Sequence, residues 1–93
     1  MKTLKDLFIK ENSYITTLKI DEEYHLYIEG LTENNEAIQD EEFNINNIKK
    51  FCIELFDEDY IETIESYDIT LDEKLDDLKE KTKNLIESYI PLF

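Results

Sequence analysis

Twenty-four carboxylates face ten lysines in a chain of 93 residues that contains no arginine, so any chemistry it performs must begin from acids. Two carboxylates could act as general acid and general base at a glycosidic bond. Such pairs are unavoidable among this many acids, and no stretch of the sequence points to a sugar cleft. His25 is the only histidine and Cys52 the only cysteine, so a nucleophile with its base and an orienting group is not assembled easily. Asp57-Glu58-Asp59 has the carboxylate density of a calcium loop. It lacks a glycine for the sharp turn, and Tyr60, Ile61 and Ile64 stand where further ligands belong. The sequence therefore predicts a non-enzyme with no catalytic residue, cofactor, metal site or small-molecule substrate.

What remains is the placement of charge. The formal net charge is −14, but its distribution is uneven. Residues 1–20 carry four lysines and two acids, whereas residues 21–45 carry nine acids and no lysine. Residues 51–73 hold another nine acids and again no base. Like charges crowded on a small domain oppose its compaction, and an economical surface would intersperse lysines as residues 74–83 do. Two base-free windows therefore predict a basic partner. Carboxylates at i and i+2 of a strand lie about 6.6–6.8 Å apart, a spacing that basic side chains built for a phosphate backbone can meet. The expected partner-binding residues are Asp21, Glu22, Glu23, Glu33, Asn34, Asn35, Glu36, Asp40, Asp57, Glu58, Asp59 and Glu62.

The elements that carry these residues follow from periodicity. Leu4, Leu7 and Phe8 form a helical stripe, with Thr3 as N-cap and Asp6 closing a capping box, and this helix should fade near Asn12-Ser13. From Tyr14 the period becomes two. Tyr14, Thr16, Leu18 and Ile20 share one strand face, and after Asp21-Glu22-Glu23 so do Tyr24, Leu26 and Ile28, with His25 on the opposite side. Thr32-Glu33-Asn34-Asn35-Glu36 reads as a turn, and a weaker third strand is expected over about Ala37–Phe43. The connections are too short for parallel crossovers, so the strands should form an antiparallel meander. Asn44 should then cap a helix burying Ile45, Ile48, Cys52, Leu55 and Phe56, with Cys52 as a small buried hydrophobe. Asp59 and Glu62 should start a short helix bearing Ile61 and Ile64. Residues 67–71 read as an extended connector. Thr70 with Glu73 should cap a last helix from Leu71 to Ile90, stopped by Pro91.

The expected fold class is thus α+β: a short N-terminal helix, a three-stranded antiparallel meander and two or three C-terminal helices in one acidic domain spanning residues 1–93. Thirteen isoleucines with one glycine and one proline exclude an obligately disordered tail and a collagen. A single cysteine excludes a disulfide scaffold and fits a reducing compartment. The charge excludes direct nucleic-acid binding and an anionic membrane surface. No secretory signal or spanning stretch is visible, so the cytoplasm is the expected location.

In Leu4-Lys5-Asp6-Leu7, Tyr14-Ile15-Thr16-Thr17-Leu18-Lys19, the Asn34-Asn35-Glu36 turn and Asn47-Ile48-Lys49-Lys50-Phe51-Cys52-Ile53-Glu54-Leu55-Phe56, the chain resembles the small acidic phage-encoded anti-CRISPR proteins that inhibit Cas9 by imitating DNA. The resemblance covers roughly the first 60 residues. It lacks that family's Asn-Asp-Gly turn, and the last helix has no counterpart there. It implies that Glu33, Asn34, Asn35 and Glu36, with Asp57, Glu58 and Asp59, occupy the cleft where the nuclease reads the PAM. The expected function is a DNA-mimicking inhibitor of a nucleic-acid-binding enzyme, a Cas nuclease first. The alternatives are an immunity protein for a nuclease toxin and a non-inhibitory acidic interaction module.

Overall fold

A computed structural model describes residues 2–58, 61–64 and 67–89 of the chain. The order is α1 (Leu4–Glu11), β1 (Ile15–Lys19), β2 (His25–Leu31), a single 3-10 turn at Ile45–Asn47, β3 (Lys50–Phe56), β4 (Ile61–Thr63) and α2 (Leu75–Tyr89). The fold is α+β, with an antiparallel meander in the order β1-β2-β3-β4.

Helix α1 forms as its sequence dictates. Thr3 is extended and accepts from Asp6 N–H, while the Asp6 carboxylate accepts from the backbone of Lys2 and Thr3, both at 3.1 Å. Asn12 ends the helix in the left-handed region at φ 50°, a conformation asparagine tolerates. Further amides at the two helix starts are satisfied reciprocally. Leu4 N–H donates to Glu73 C=O and Lys5 N–H to Leu71 C=O, while Leu75 N–H donates to Lys2 C=O, each at 2.9 Å.

Strands β1 and β2 alternate as expected. Thr16, Leu18, Leu26 and Ile28 are buried, as is Ile20 just beyond β1. These side chains meet Leu4, Leu7 and Phe8 of α1 and Leu75, Leu78 and Ile86 of α2 in one core on one face of the sheet. Thr82 is also fully buried, with its hydroxyl donating to Leu78 C=O at 2.8 Å and accepting from Tyr67 at 3.0 Å.

Four expectations are corrected. The third strand over Ala37–Phe43 is absent: Ala37 only bridges Leu31, because the free edge of β2 is taken by a seven-pair ladder with β3. Tyr14 fixes residues 42–47 instead, its hydroxyl donating to Glu42 C=O and accepting from Asn44 N–H and Asn47 Nδ2. The helix from Asn44 is only a 3-10 turn, and residues 50–56 form β3. Both patterns fit that stretch, since Ile48, Cys52 and Leu55 repeat helically while Phe51, Ile53 and Leu55 alternate. The pairing of Leu26 with Leu55 and Ile28 with Ile53 decides for the strand, as sheet packing overrides local preference. The short helix with Ile61 and Ile64 is the three-residue strand β4, recruited by the open edge of β3. Among the described residues one C-terminal helix follows, not two or three, and it begins at Leu75 rather than Leu71. Thr70 is consumed in a local turn, its hydroxyl accepting from Asp72 N–H and its carbonyl from Glu73 N–H. The expected helix end at Ile90 and Pro91 lies outside the described residues. No described helix is long and apolar enough to cross a membrane.

Candidate interaction surface

The register divides the expected partner-binding residues between opposite ends of the sheet. His25 pairs with Phe56 at one end of the β2–β3 ladder, and Leu31 with Lys50 at the other. Seven residues per strand put those ends about 20 Å apart.

At the first end the β1–β2 connection closes with Ile20 N–H on Tyr24 C=O at 3.0 Å. The Asp21 carboxylate turns inward and accepts from the N–H groups of Glu23 and Tyr24, both at 2.8 Å. Asp21 is therefore committed to shaping the turn, whereas Glu22 and Glu23 are exposed. Lys19 meets Glu22 at 3.3 Å with both side chains in solvent, a contact that contributes at most about 1 kcal/mol. Because β3 ends opposite the start of β2, Asp57 and Glu58 come beside this turn. Glu22, Glu23, Asp57 and Glu58 line one depression of about 340 Å³. Acids of the two base-free windows, 35 residues apart in sequence, thus meet here. Desolvation, then the charges of Glu23, Asp57 and Asp21, hold the Tyr24 phenol above its ordinary value. Asp59 and the Glu62 side chain lie outside the described residues.

At the second end, Thr32 N–H donates to Glu36 C=O at 2.8 Å and Asn35 takes φ 62°. Glu33, Asn34, Asn35 and Glu36 are exposed on this turn. Asp40 faces inward in function: its carboxylate accepts from Asn47 Nδ2, the same amide that reaches Tyr14. Exposed Lys49 and Lys50 lie at this end and dilute its field, as Lys19 beside Glu22 does in part at the first.

Between the two ends lies a surface that the sequence reading missed. The face of the sheet opposite the core carries His25, Tyr27 and Glu29 from β2 and Cys52, Glu54 and Phe56 from β3, all half-buried. None of these six residues belongs to the core cluster. His25 keeps the side expected for it and stacks on Phe56, with centroids 5.5 Å apart and planes at 20°. Cys52 is corrected from a core position: as a β3 residue opposite Glu29 it lies on this open face. Partial burial first, then the Glu54 and Glu29 charges, push its thiol up. The Tyr27 phenol is raised by desolvation and by the same two carboxylates. Alternation carried through residues 50–56 would have revealed this face; the competing helical period concealed it.

Among the described residues no three His, Cys, Asp or Glu side chains group as metal ligands. Comparison with protein-family models, with curated proteins and with solved structures finds no match to this chain.

Proposed function

We propose that this chain is a DNA-mimicking protein inhibitor that occupies the basic groove of a nucleic-acid-handling enzyme, with a Cas nuclease as the target of first choice. The observation that carries this reading is the meeting of acids from both base-free windows at one end of the sheet, where Glu22, Glu23, Asp57 and Glu58 surround a single depression. Proteins that read a PAM fork arginines onto guanine edges, and a carboxylate accepts the same fork. Each charge-assisted hydrogen bond is worth about 1.5–3 kcal/mol, so several together can exceed the cost of association. Glu33 and Glu36, roughly 20 Å away along the sheet, would serve as a second and weaker contact. Asp21 and Asp40 support their loops instead of meeting the partner.

The test is displacement of a fluorescent PAM duplex from guide-loaded Cas9, followed by anisotropy. Reversal of Glu22 and Glu23 to lysine should weaken displacement by about 100-fold or more, since attraction to a basic groove becomes repulsion. Reversal of Asp76 and Asp77, diluted by Lys74 and Lys79, should change it less than about threefold, as screening over about 8 Å predicts. Equal losses at both sites would reduce the effect to bulk charge. Failure to displace DNA at any salt concentration would remove Cas9 as the target.

A further inference from the structure

The geometry points to a guanidinium-binding slot in the middle of the open sheet face, formed by Tyr27, Glu29, Glu54, Phe56 and Ile61, that takes an arginine side chain from a partner protein. The five residues line a depression of about 350 Å³. Tyr27 stands directly across from Glu54, and Phe56 directly across from Ile61. Glu29, opposite Cys52, is the diagonal neighbour of Glu54, a relation that places Cβ atoms roughly 7–8 Å apart. The slot thus sets Glu54 beside both Tyr27 and Phe56, with Glu29 two residues beyond Tyr27 on β2. Its rim is Ile61, whose side chain is 71% exposed and can cover the methylene stem of a long basic residue.

Charge complementarity selects the occupant. No lysine lines the slot: Lys50, on the same face of β3, is exposed opposite Leu31 beyond Glu29, and Lys19 of β1 stands opposite His25 at the other end. Desolvation first, and then the charges of the Glu29 and Glu54 carboxylates, raise the Tyr27 phenol and the Cys52 thiol beside them. A planar guanidinium satisfies both halves of the site, forking onto a carboxylate while stacking on an aromatic ring, whereas an ammonium does only part of this. The chain contains no arginine, so the side chain must come from another molecule. A second copy, also at −14, would bring further acids. The inference rests on the basic partner proposed above, yet it concerns a different patch and is tested without that partner.

The probe is the peptide acetyl-Gly-Arg-Gly-amide, titrated into the ¹⁵N-labelled full chain, with lysine and citrulline peptides as controls. Saturable amide shifts are expected around Tyr27, Glu29, Glu54 and Phe56, with a dissociation constant at least tenfold lower for arginine than for citrulline and lower than for lysine. Glu29→Gln with Glu54→Gln should weaken arginine binding at least tenfold, and Tyr27→Leu should weaken it while leaving both carboxylates in place. The same spectra report whether each variant is folded. Shifts centred on Glu22, Glu23 and Glu58, equal binding of citrulline or lysine, or indifference to the double variant would overturn the assignment. Concentration-dependent shifts of this face without peptide would assign it to a second copy and overturn it equally.

Discussion

Adding one methyl group at Gly30 should destabilise the protein, and the size of the loss can be worked from its surroundings. Gly30 lies on the core side of β2, opposite Phe51. A Cβ built there would sit 2.7 Å from Ile48 Cγ1, 2.8 Å from Cδ1 and 3.0 Å from Cγ2. Ordinary carbon contacts are about 3.5–4.0 Å, so Ile48 would have to retreat by close to an ångström. It has little freedom to do so, being 5% exposed with its N–H on Ile45 C=O. Overpacking of this kind costs about 1–3 kcal/mol. The φ of Gly30 is not positive, so alanine suits the backbone and recovers about 0.4–1 kcal/mol through the unfolded chain. Gly30→Ala should therefore lose about 1–2 kcal/mol, a fall in Tm of roughly 5–15 °C. Ile48→Ala alone should cost about 2–5 kcal/mol by leaving a cavity. The double variant should fall short of the sum by about 1–2 kcal/mol, because the new methyl enters the vacated space. Urea denaturation of the four proteins measures this cycle. A neutral or stabilised Gly30→Ala, or strict additivity, would refute the packing of Ile48 over β2. With it would go the argument that the β2–β3 ladder, and not a helix over residues 44–56, organises the middle of the chain.

Thr16 is 3% exposed and its hydroxyl has no hydrogen-bond partner among the described residues; Thr16→Val should raise stability by about 0.5–1.5 kcal/mol in thermal melts, since it removes an uncompensated buried hydroxyl, and a lower Tm would show that the hydroxyl is satisfied. The Asp6 carboxyl is held below its ordinary value of 3.8, first by the Lys2 N–H and then by the Thr3 N–H and hydroxyl. A depressed carboxyl stabilises the fold above its unfolded pKa and loses that contribution as the pH falls through its folded value. Asp6→Ala should accordingly be less stable than the parent at pH 7, with the gap closing below about pH 3.8; a gap independent of pH would rule out the charged cap. The raised Cys52 thiol should react slowly with iodoacetamide at pH 8 and faster in urea or in Glu54→Gln, and alkylation of the folded chain at the rate of an unfolded thiol would contradict its placement beside Glu54.

The parts of the fold that could be read from sequence are those where one physical signal stood alone. Thr3 and Asp6 close the first helix turn by local hydrogen bonds, with no help from distant residues, and the cap forms as read. Thr16, Leu18, Leu26 and Ile28 alternate without a competing helical stripe, so β1 and β2 emerge with the right faces. Residues 45–56 carry two compatible periods, and only the identity of the neighbouring strand separates them. That information is non-local: β2 has an unpaired edge and a half-covered apolar face, and seven ladder pairs to β3 satisfy both. The same competition removed the strand expected at Ala37–Phe43. Having misassigned residues 50–56, sequence reasoning could not bring Glu54 across from Tyr27 or see that the aromatic and acidic side chains share an open face.

The acids themselves obey a distinction that net charge hides. Asp6, Asp21 and Asp40 all turn their carboxylates to nearby protein groups: the first two accept backbone N–H groups within a turn, and the third accepts the Asn47 side-chain amide. An aspartate is short enough to reach its own local backbone, and the extra methylene of glutamate makes this closure less favourable. Glu22 and Glu23 stand in the Asp21 turn, and Glu33 and Glu36 in the turn that Thr32 closes, and all four remain exposed. Within each turn the aspartate or threonine shapes the loop and the glutamates carry the outward field. A partner that measures negative charge at the ends of this sheet therefore meets glutamates on loops whose geometry other residues have already fixed. That preorganisation lowers the entropic cost of binding, and it is why reversal of Glu22 and Glu23 should change affinity while leaving the Asp21 turn intact.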